Sequence, residues 1–332
     1  MRRETKFPGS EEHRNGVVFL VCQGEVSMDQ ATSSSSAAVY LRVTTEIIQA
    51  IEAGVEGEYR MPWHRRTAEG FPQNVLSHRP YHGFNTLALW STTQMRGYAS
   101  SLWATYRQWA SLGAQVRKGE KATAILFYKK EDQPPGAEPE AESEKPRVIV
   151  RSSFVFNAAQ VDGYDWQEAT PPLEDRTVRL DRAEQFVSQI GAQVAYGGDR
   201  AFYRPCSDHI QMPERARFTG TTTSSATESF YAVLLHEHVH WSGHPSRLDR
   251  DLSGRFGQSA YAMEELIAEL GAAFLCAELG VAHEPRLDHA LYVKSWLPVL
   301  KEKKMALLSA ASAATRACRY LTERSAEGEL GV

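Results

Sequence analysis

Two histidines four residues apart, with a glutamate directly after the first, are the part of this sequence best equipped for chemistry. They form His236-Glu237-His238-Val239-His240, inside an apolar run from Phe230 to Trp241 that reads as a buried helix. On a helix, side chains four apart share a face. His236 and His240 can therefore hold one Zn²⁺ through two imidazoles, with Glu237 beside them as a base for water. The plainer reading is a helix that happens to carry three histidines, but a chance His-Glu-x-x-His is uncommon in a chain of this length.

The next residues narrow the kind of site. A metzincin continues His-Glu-x-x-His-x-x-Gly-x-x-His. Gly243 fits, but Ser246 stands at the third histidine position and His244 comes two residues early. The other common solution takes a glutamate from a second helix. Tyr261 to Leu279 is such a helix, with Leu266, Ile267, Leu270, Ala273, Phe274 and Ala277 as its apolar stripe. Glu265 and Glu269 lie four apart on it. Glu265 is the expected third ligand and Glu269 the carboxylate that orients a ligand imidazole; the swapped assignment stays open.

These helices need a scaffold, and the chain supplies one. At 332 residues with 42% hydrophobic content, it has room for two ordinary cores. A net charge of −4 excludes no partner class. Cys22, Cys206, Cys276 and Cys318 are scattered without a Cys-x-x-Cys and read as reduced thiols, which points to the cytoplasm. No run approaches transmembrane length, so no membrane partner is expected. Residues 1–37 read as a disordered leader ending in a serine run, with Met28 an alternative start. A helix is expected from Val39 to Gly54, and strands at 124–128 and 148–156. The Pro- and Glu-rich segment 131–147 between them is either a linker or, preferably, a long hairpin loop. The better domain boundary is 166–176, with Pro171-Pro172 inside it. Beyond it, a helix is expected at 182–190, a strand at 193–196, an edge strand at 208–213 and a final helical stretch from about 288 to 323, broken near Pro298. The fold class is α+β in two domains, 38–165 and 177–325.

The first domain carries chemistry of its own. Between Arg60 and Lys130 there are eleven basic residues against Glu69 and Glu120, a local balance of +9, interleaved with Trp63, Trp90, Trp103, Trp109 and several Phe and Tyr. Cations neutralise phosphates and unpaired bases stack on rings, so the pattern suits single-stranded nucleic acid. A tryptophan-rich core with a solvated basic rim would look the same in composition.

Ordered motifs then point to a family. Pro62-Trp63, Pro72-Gln-Asn74, Tyr81-His-Gly-Phe-Asn85, Trp103-Ala-Thr-Tyr106, Leu112 to Lys121 and Val155-Phe-Asn157 resemble the N-terminal single-stranded-DNA-binding domain of ArdC-type antirestriction proteins, with related domains in TraC-type plasmid primases. His236 to His244, Arg247-Leu248 and Glu264 to Phe274 resemble that family's zincin-like metallopeptidase domain. The resemblance covers roughly 38–310. It implies a protein of conjugative plasmids or other mobile elements that shields incoming DNA from host restriction, with single-stranded DNA and an unidentified protein substrate as partners. Arg65, Arg79, Tyr81, Asn85, Trp103, Arg107, Arg117, Lys118 and Lys121 are the candidate DNA contacts. Amide hydrolysis would use Glu237 as the proton carrier, with Tyr261 or His244 as a donor to the transition state. His238 and the acidic loop are peculiar to this chain within that pattern.

Overall fold

The computed structural model describes residues 34–54, 63, 70–130, 148–166, 175–221, 224–253, 259–283, 289–303 and 305–330. Of the expected leader 1–37, residues 1–33 lie outside the described residues, as do the loop 131–147 and Arg65; residues 34–37 instead open the first helix, which begins at Ser34.

The first half is built on a four-stranded sheet. Its strands are β1 (Gln73–Asn74), β2 (Leu102–Ala104), β4 (Thr123–Lys130) and β5 (Val148–Asn157), in the order β1-β2-β5-β4. β3 (Gln115–Val116) and β6 (Val161–Asp162) form a separate pair. β4 and β5 pair antiparallel from Thr123↔Val155 to Lys130↔Val148, so 131–147 joins two strands of one hairpin. Helices α1 (Ser34–Gly54), α2 (Phe84–Arg96) and α3 (Tyr106–Ser111) pack around this sheet. Asn85 on α2 closes the outer edge of β4: its side chain donates to the Leu126 carbonyl at 2.6 Å and accepts from the Leu126 amide at 2.8 Å. An edge strand's unpaired backbone groups are thereby satisfied.

The second half is mostly helical. α4 (Arg176–Ile190) starts six residues earlier than its apolar pattern suggests, because Asp175 caps it, accepting from the Thr177 amide at 2.8 Å. A three-stranded sheet follows, with β7 (Gln193–Tyr196), β8 (Phe202–Arg204) and β9 (His209–Met212) in the order β7-β9-β8. This corrects the reading of 208–213 as an edge: β9 is the central strand, parallel to β7 and antiparallel to β8, and β7 and β8 are the edges. Then come α5 (Ala226–Ser242), α6 (Ser259–Leu279), α7 (His289–Glu302) and α8 (Ala306–Leu330). Pro298 does not break α7, which runs through it with Trp296, Val299 and Leu300 buried; the interruption falls after Glu302 instead. Burial of that face outweighs the one backbone hydrogen bond that proline removes.

The two halves share one core. A single apolar cluster runs from Val39 and Trp90 to Phe274, Trp296 and Leu321. At the seam, Phe274 of α6 lies 5.9 Å from Trp90 of α2 and 6.2 Å from Phe71, ring centre to ring centre, and Trp63 lies 6.3 Å from Trp296. The Pro-rich boundary after 165 suggests on sequence grounds that residues 38–165 fold alone; the shared core predicts that they do not. Cut after 165, the fragment would bare to water the faces of Phe71 and Trp90 that Phe274 covers. It should bind a hydrophobic dye and lack near-ultraviolet circular dichroism, while the intact chain unfolds in one transition. Native-like dispersion of the fragment's amide resonances would contradict this.

Candidate metal centre and nucleic-acid surface

α5 begins at a capping box. Ser225 Oγ accepts from the Glu228 amide at 3.2 Å, and Glu228 Oε2 accepts from the Ser225 amide at 2.9 Å. The helix is buried nearly all round, and α6 likewise. They approach closely where Val239 meets Gly271: a Cβ at 271 would lie 2.7 Å from Val239 Cγ2. Only glycine permits that approach, and it sets the acidic face of α6 against the histidine face of α5.

His236, His240 and Glu265 converge, with one ligand atom of each inside a span of 4.8 Å. The two Nε2 atoms are 3.2 Å apart, and Glu265 puts Oε2 3.6 Å from His236 Nε2 and Oε1 3.6 Å from His240 Nε2. Zn–N bonds of about 2.0–2.1 Å in tetrahedral geometry set ligand atoms roughly 3.3–3.4 Å apart, so this donor set fits one such cation. The electrostatics agree. Burial disfavours a charge on His240, but Glu265 first, then Glu264 and Glu237, outweigh it and raise its pKa to about 9. Burial would raise Glu265, yet His240 and His236 together with a Tyr261 hydrogen bond bring it down to about 2. The pocket favours positive charge. Glu237 is 5% exposed, directly after His236 on α5.

The other candidates divide. Glu269 places Oε2 3.7 Å from His236 Nδ1 and Oε1 3.8 Å from His283 Nε2. Glu264, which the sequence reading passed over, accepts from His240 Nδ1 at 3.1 Å. Each imidazole thus has its own carboxylate on α6, one residue before Glu265 and four after it. Tyr261 bonds the Glu265 carboxylate. His244 is not brought into the cluster; its Nδ1 pairs with Ser246 Oγ at 2.7 Å. His238 faces away from the donor set, its Nδ1 on the Leu234 carbonyl at 2.8 Å, and burial holds its pKa down to about 4. Arg247, part of the family motif, takes a role that its spacing does not reveal. It lies 3.9 Å over the Trp241 ring and bonds Asp208 Oδ2 at 3.0 Å and the Tyr203 hydroxyl at 3.2 Å, pinning the end of α5 to the β8–β9 turn.

The nucleic-acid candidates also separate. Trp103 is 0% exposed in a cluster with Leu89, Ile125 and Val155, so it cannot stack a base. Asn85 is spent on the β4 edge. Tyr81 is half-buried, its hydroxyl accepting from Asn74 at 3.2 Å. Arg117 is bound to Glu120 at 3.0 Å and Asp162 at 3.4 Å and to the Ala159 and Val161 carbonyls. Arg79, Arg107, Lys118 and Lys121 are exposed. Among the described residues of this half, the exposed rings are Tyr106, Phe127 and Phe154. Phe127 lies directly across from Arg151 in the hairpin register.

Known proteins give the context. Residues 37–156 match the N-terminal domain of the anti-restriction factor ArdC, and residues 181–313 match a zincin-like metallopeptidase domain. An uncharacterized protein of Sinorhizobium fredii, y4eC, is 44% identical over 296 residues, covering 88% of this chain and 94% of that protein. A DNA primase TraC of Escherichia coli is 37% identical over 296 residues, which are 83% of this chain but only 26% of the primase. The crystal structure of antirestriction ArdC from plasmid R388, metal-free, superposes with a TM-score of 0.68 at 36% identity, covering 87% of this chain and 98% of ArdC. Its Mn(II)-bound form gives 0.66, covering 86% and 98%. With both halves matched in order and an ArdC chain covered almost end to end, this chain belongs to the ArdC-type antirestriction family.

Proposed function

We propose that the chain holds single-stranded DNA through its first half and hydrolyses a protein substrate at a Zn²⁺ centre in its second, so protecting incoming DNA from host restriction. The observation that carries this reading is the convergence of His236, His240 and Glu265, with Glu237 directly after His236 on α5 and near enough to His240 to raise its pKa. A purely structural metal site has no use for Glu237. His236, His240 and Glu265 would hold the Zn²⁺, which when bound would supply Lewis acidity toward a carbonyl and toward water. Glu237 takes the proton of the attacking water and returns it to the leaving amine. Tyr261, already hydrogen-bonded to Glu265, is the nearer of the two proposed donors to the transition state. A peptide would lie along β8, which pairs with β9 on one side only among the described strands and packs against α5. Among the described residues no helix is long and apolar enough to cross a membrane.

The test is a peptide library incubated with the zinc-loaded chain, with new termini read by mass spectrometry. Cleavage at a defined sequence, abolished by chelator, is the expected result; an uncut library favours a protector whose zincin half has no peptidase role.

The DNA half makes a separate prediction. Arg107 and Lys118 are exposed and in no ion pair among the described residues. Replacing both by Ala should shallow the log–log salt dependence of single-strand affinity by one to two contacts, at about 0.7 each. Trp103→Phe should leave it unchanged, because that ring is core. Fluorescence anisotropy across a salt series measures both, and equal affinity for duplex DNA would argue against base stacking on Tyr106, Phe127 or Phe154.

A further inference from the structure

Gly243 matches the glycine of the metzincin pattern, yet this chain draws its carboxylate ligand from α6 and leaves Gly243 without that role. Its backbone does not require glycine, since φ is −81° and ψ is −6°, ordinary right-handed values. What the position requires is space. A Cβ there would lie 2.7 Å from Nη2 and 2.9 Å from Cζ of Arg250, closer than the 3.1 Å to the His240 carbonyl oxygen. The guanidinium fills that space and aims every nitrogen. Nε donates to Glu264 Oε2 at 3.0 Å, and Nη2 to Glu264 Oε1 at 2.8 Å. Nη1 donates to Ser242 Oγ at 3.0 Å, and Nη2 also reaches the Val239 carbonyl in the last turn of α5. The Arg250 and Glu264 side chains are 9% and 8% exposed. Glu264 Oε1 is the same oxygen that meets His240 Nδ1 at 3.1 Å.

We propose that Arg250 is a positioning residue of the metal centre, orienting the His240 ring through Glu264, and that residue 243 is glycine to admit its guanidinium. A bidentate arginine–carboxylate pair has one preferred planar geometry, so it fixes both oxygens of Glu264. A carboxylate on the far nitrogen of a ligand imidazole fixes the ring's tautomer and aim. Without its cation, a carboxylate this buried would be an uncompensated charge and would turn toward water. Lysine cannot replace the fork, because its ammonium is a point charge.

The inference rests on the metal-centre reading, and metal binding by the intact chain tests both. Chelator competition measures Zn²⁺ and Mn²⁺ affinity, and the visible absorption of bound Co²⁺ reports ligand geometry. Arg250→Ala and Arg250→Lys should each weaken metal binding by roughly 10- to 100-fold and shift the Co²⁺ bands. Gly243→Ala should do the same in the wild-type background. In the Arg250→Ala background it should cost much less, since the guanidinium clash is gone and only the tight 3.1 Å contact with the His240 carbonyl remains; that non-additivity marks one shared mechanism. If Arg250→Ala does not fold, Arg250→Lys and Gly243→Ala carry the test. Variants that lose thermal stability but keep wild-type metal affinity and Co²⁺ bands would overturn the proposal and leave the metal centre standing. A wild-type chain that binds no divalent cation would overturn both.

Discussion

Replacing Glu237 by Gln should lower peptide hydrolysis by roughly 10²- to 10⁴-fold, the usual worth of a positioned acid–base group, and leave metal content unchanged. The amide keeps the size of the side chain and removes its ability to take a proton. The position is 5% exposed and flanked on α5 by buried His236 and His238, so the change alters charge at one point of a packed helix. Metal content by elemental analysis and cleavage of the best library peptide are the two readouts. Full activity in the variant would move the base elsewhere; lost metal would make Glu237 a structural member of the centre.

Metal loss itself should follow a different set of substitutions. His236→Ala and Glu265→Ala each remove a donor and should weaken metal binding by more than about 100-fold, beyond what loss of an orienting group costs. Glu269→Gln should cost only about 10- to 100-fold, because its Oε2 meets Nδ1 of His236 at 3.7 Å and not the Nε2 side where Glu265 lies. Chelator competition ranks them. If Glu269→Gln strips the metal and Glu265→Ala keeps it, the two carboxylates have swapped roles.

Much of the site can be read from local periodicity. The His-Glu-x-x-His spacing places both imidazoles on one face of α5, and Glu265 and Glu269 share a face of α6 for the same reason. Glu264 escapes that logic. It sits about 100° around α6 from Glu265 and gains its role only because α5 lies across Gly271 closely enough for His240 to reach it. Arg250 escapes it further, as a loop residue fourteen positions before its carboxylate.

Residues that composition suggests for DNA contact fail for a related reason. β2 is buried on both sides, Leu102 and Ala104 in one cluster and Trp103 in another, so alternation along the strand leaves no wet face for Trp103. The place of β9 between β7 and β8 depends on strand order, a non-local property that a short apolar run does not encode. The joint between the halves hides in the same way. Pro171-Pro172 reads as a boundary in the chain, but Phe71, Trp90 and Phe274 pack across the halves regardless.

In the proposed function the hydrolytic centre, and not DNA binding alone, serves protection. A restriction-challenged DNA-transfer assay comparing wild type with Glu237→Gln measures this most directly, with single-strand affinity of both proteins checked in parallel. The expected result is a variant that binds DNA as the wild type does and loses protection. A variant that protects transferred DNA as well as the wild type would contradict it.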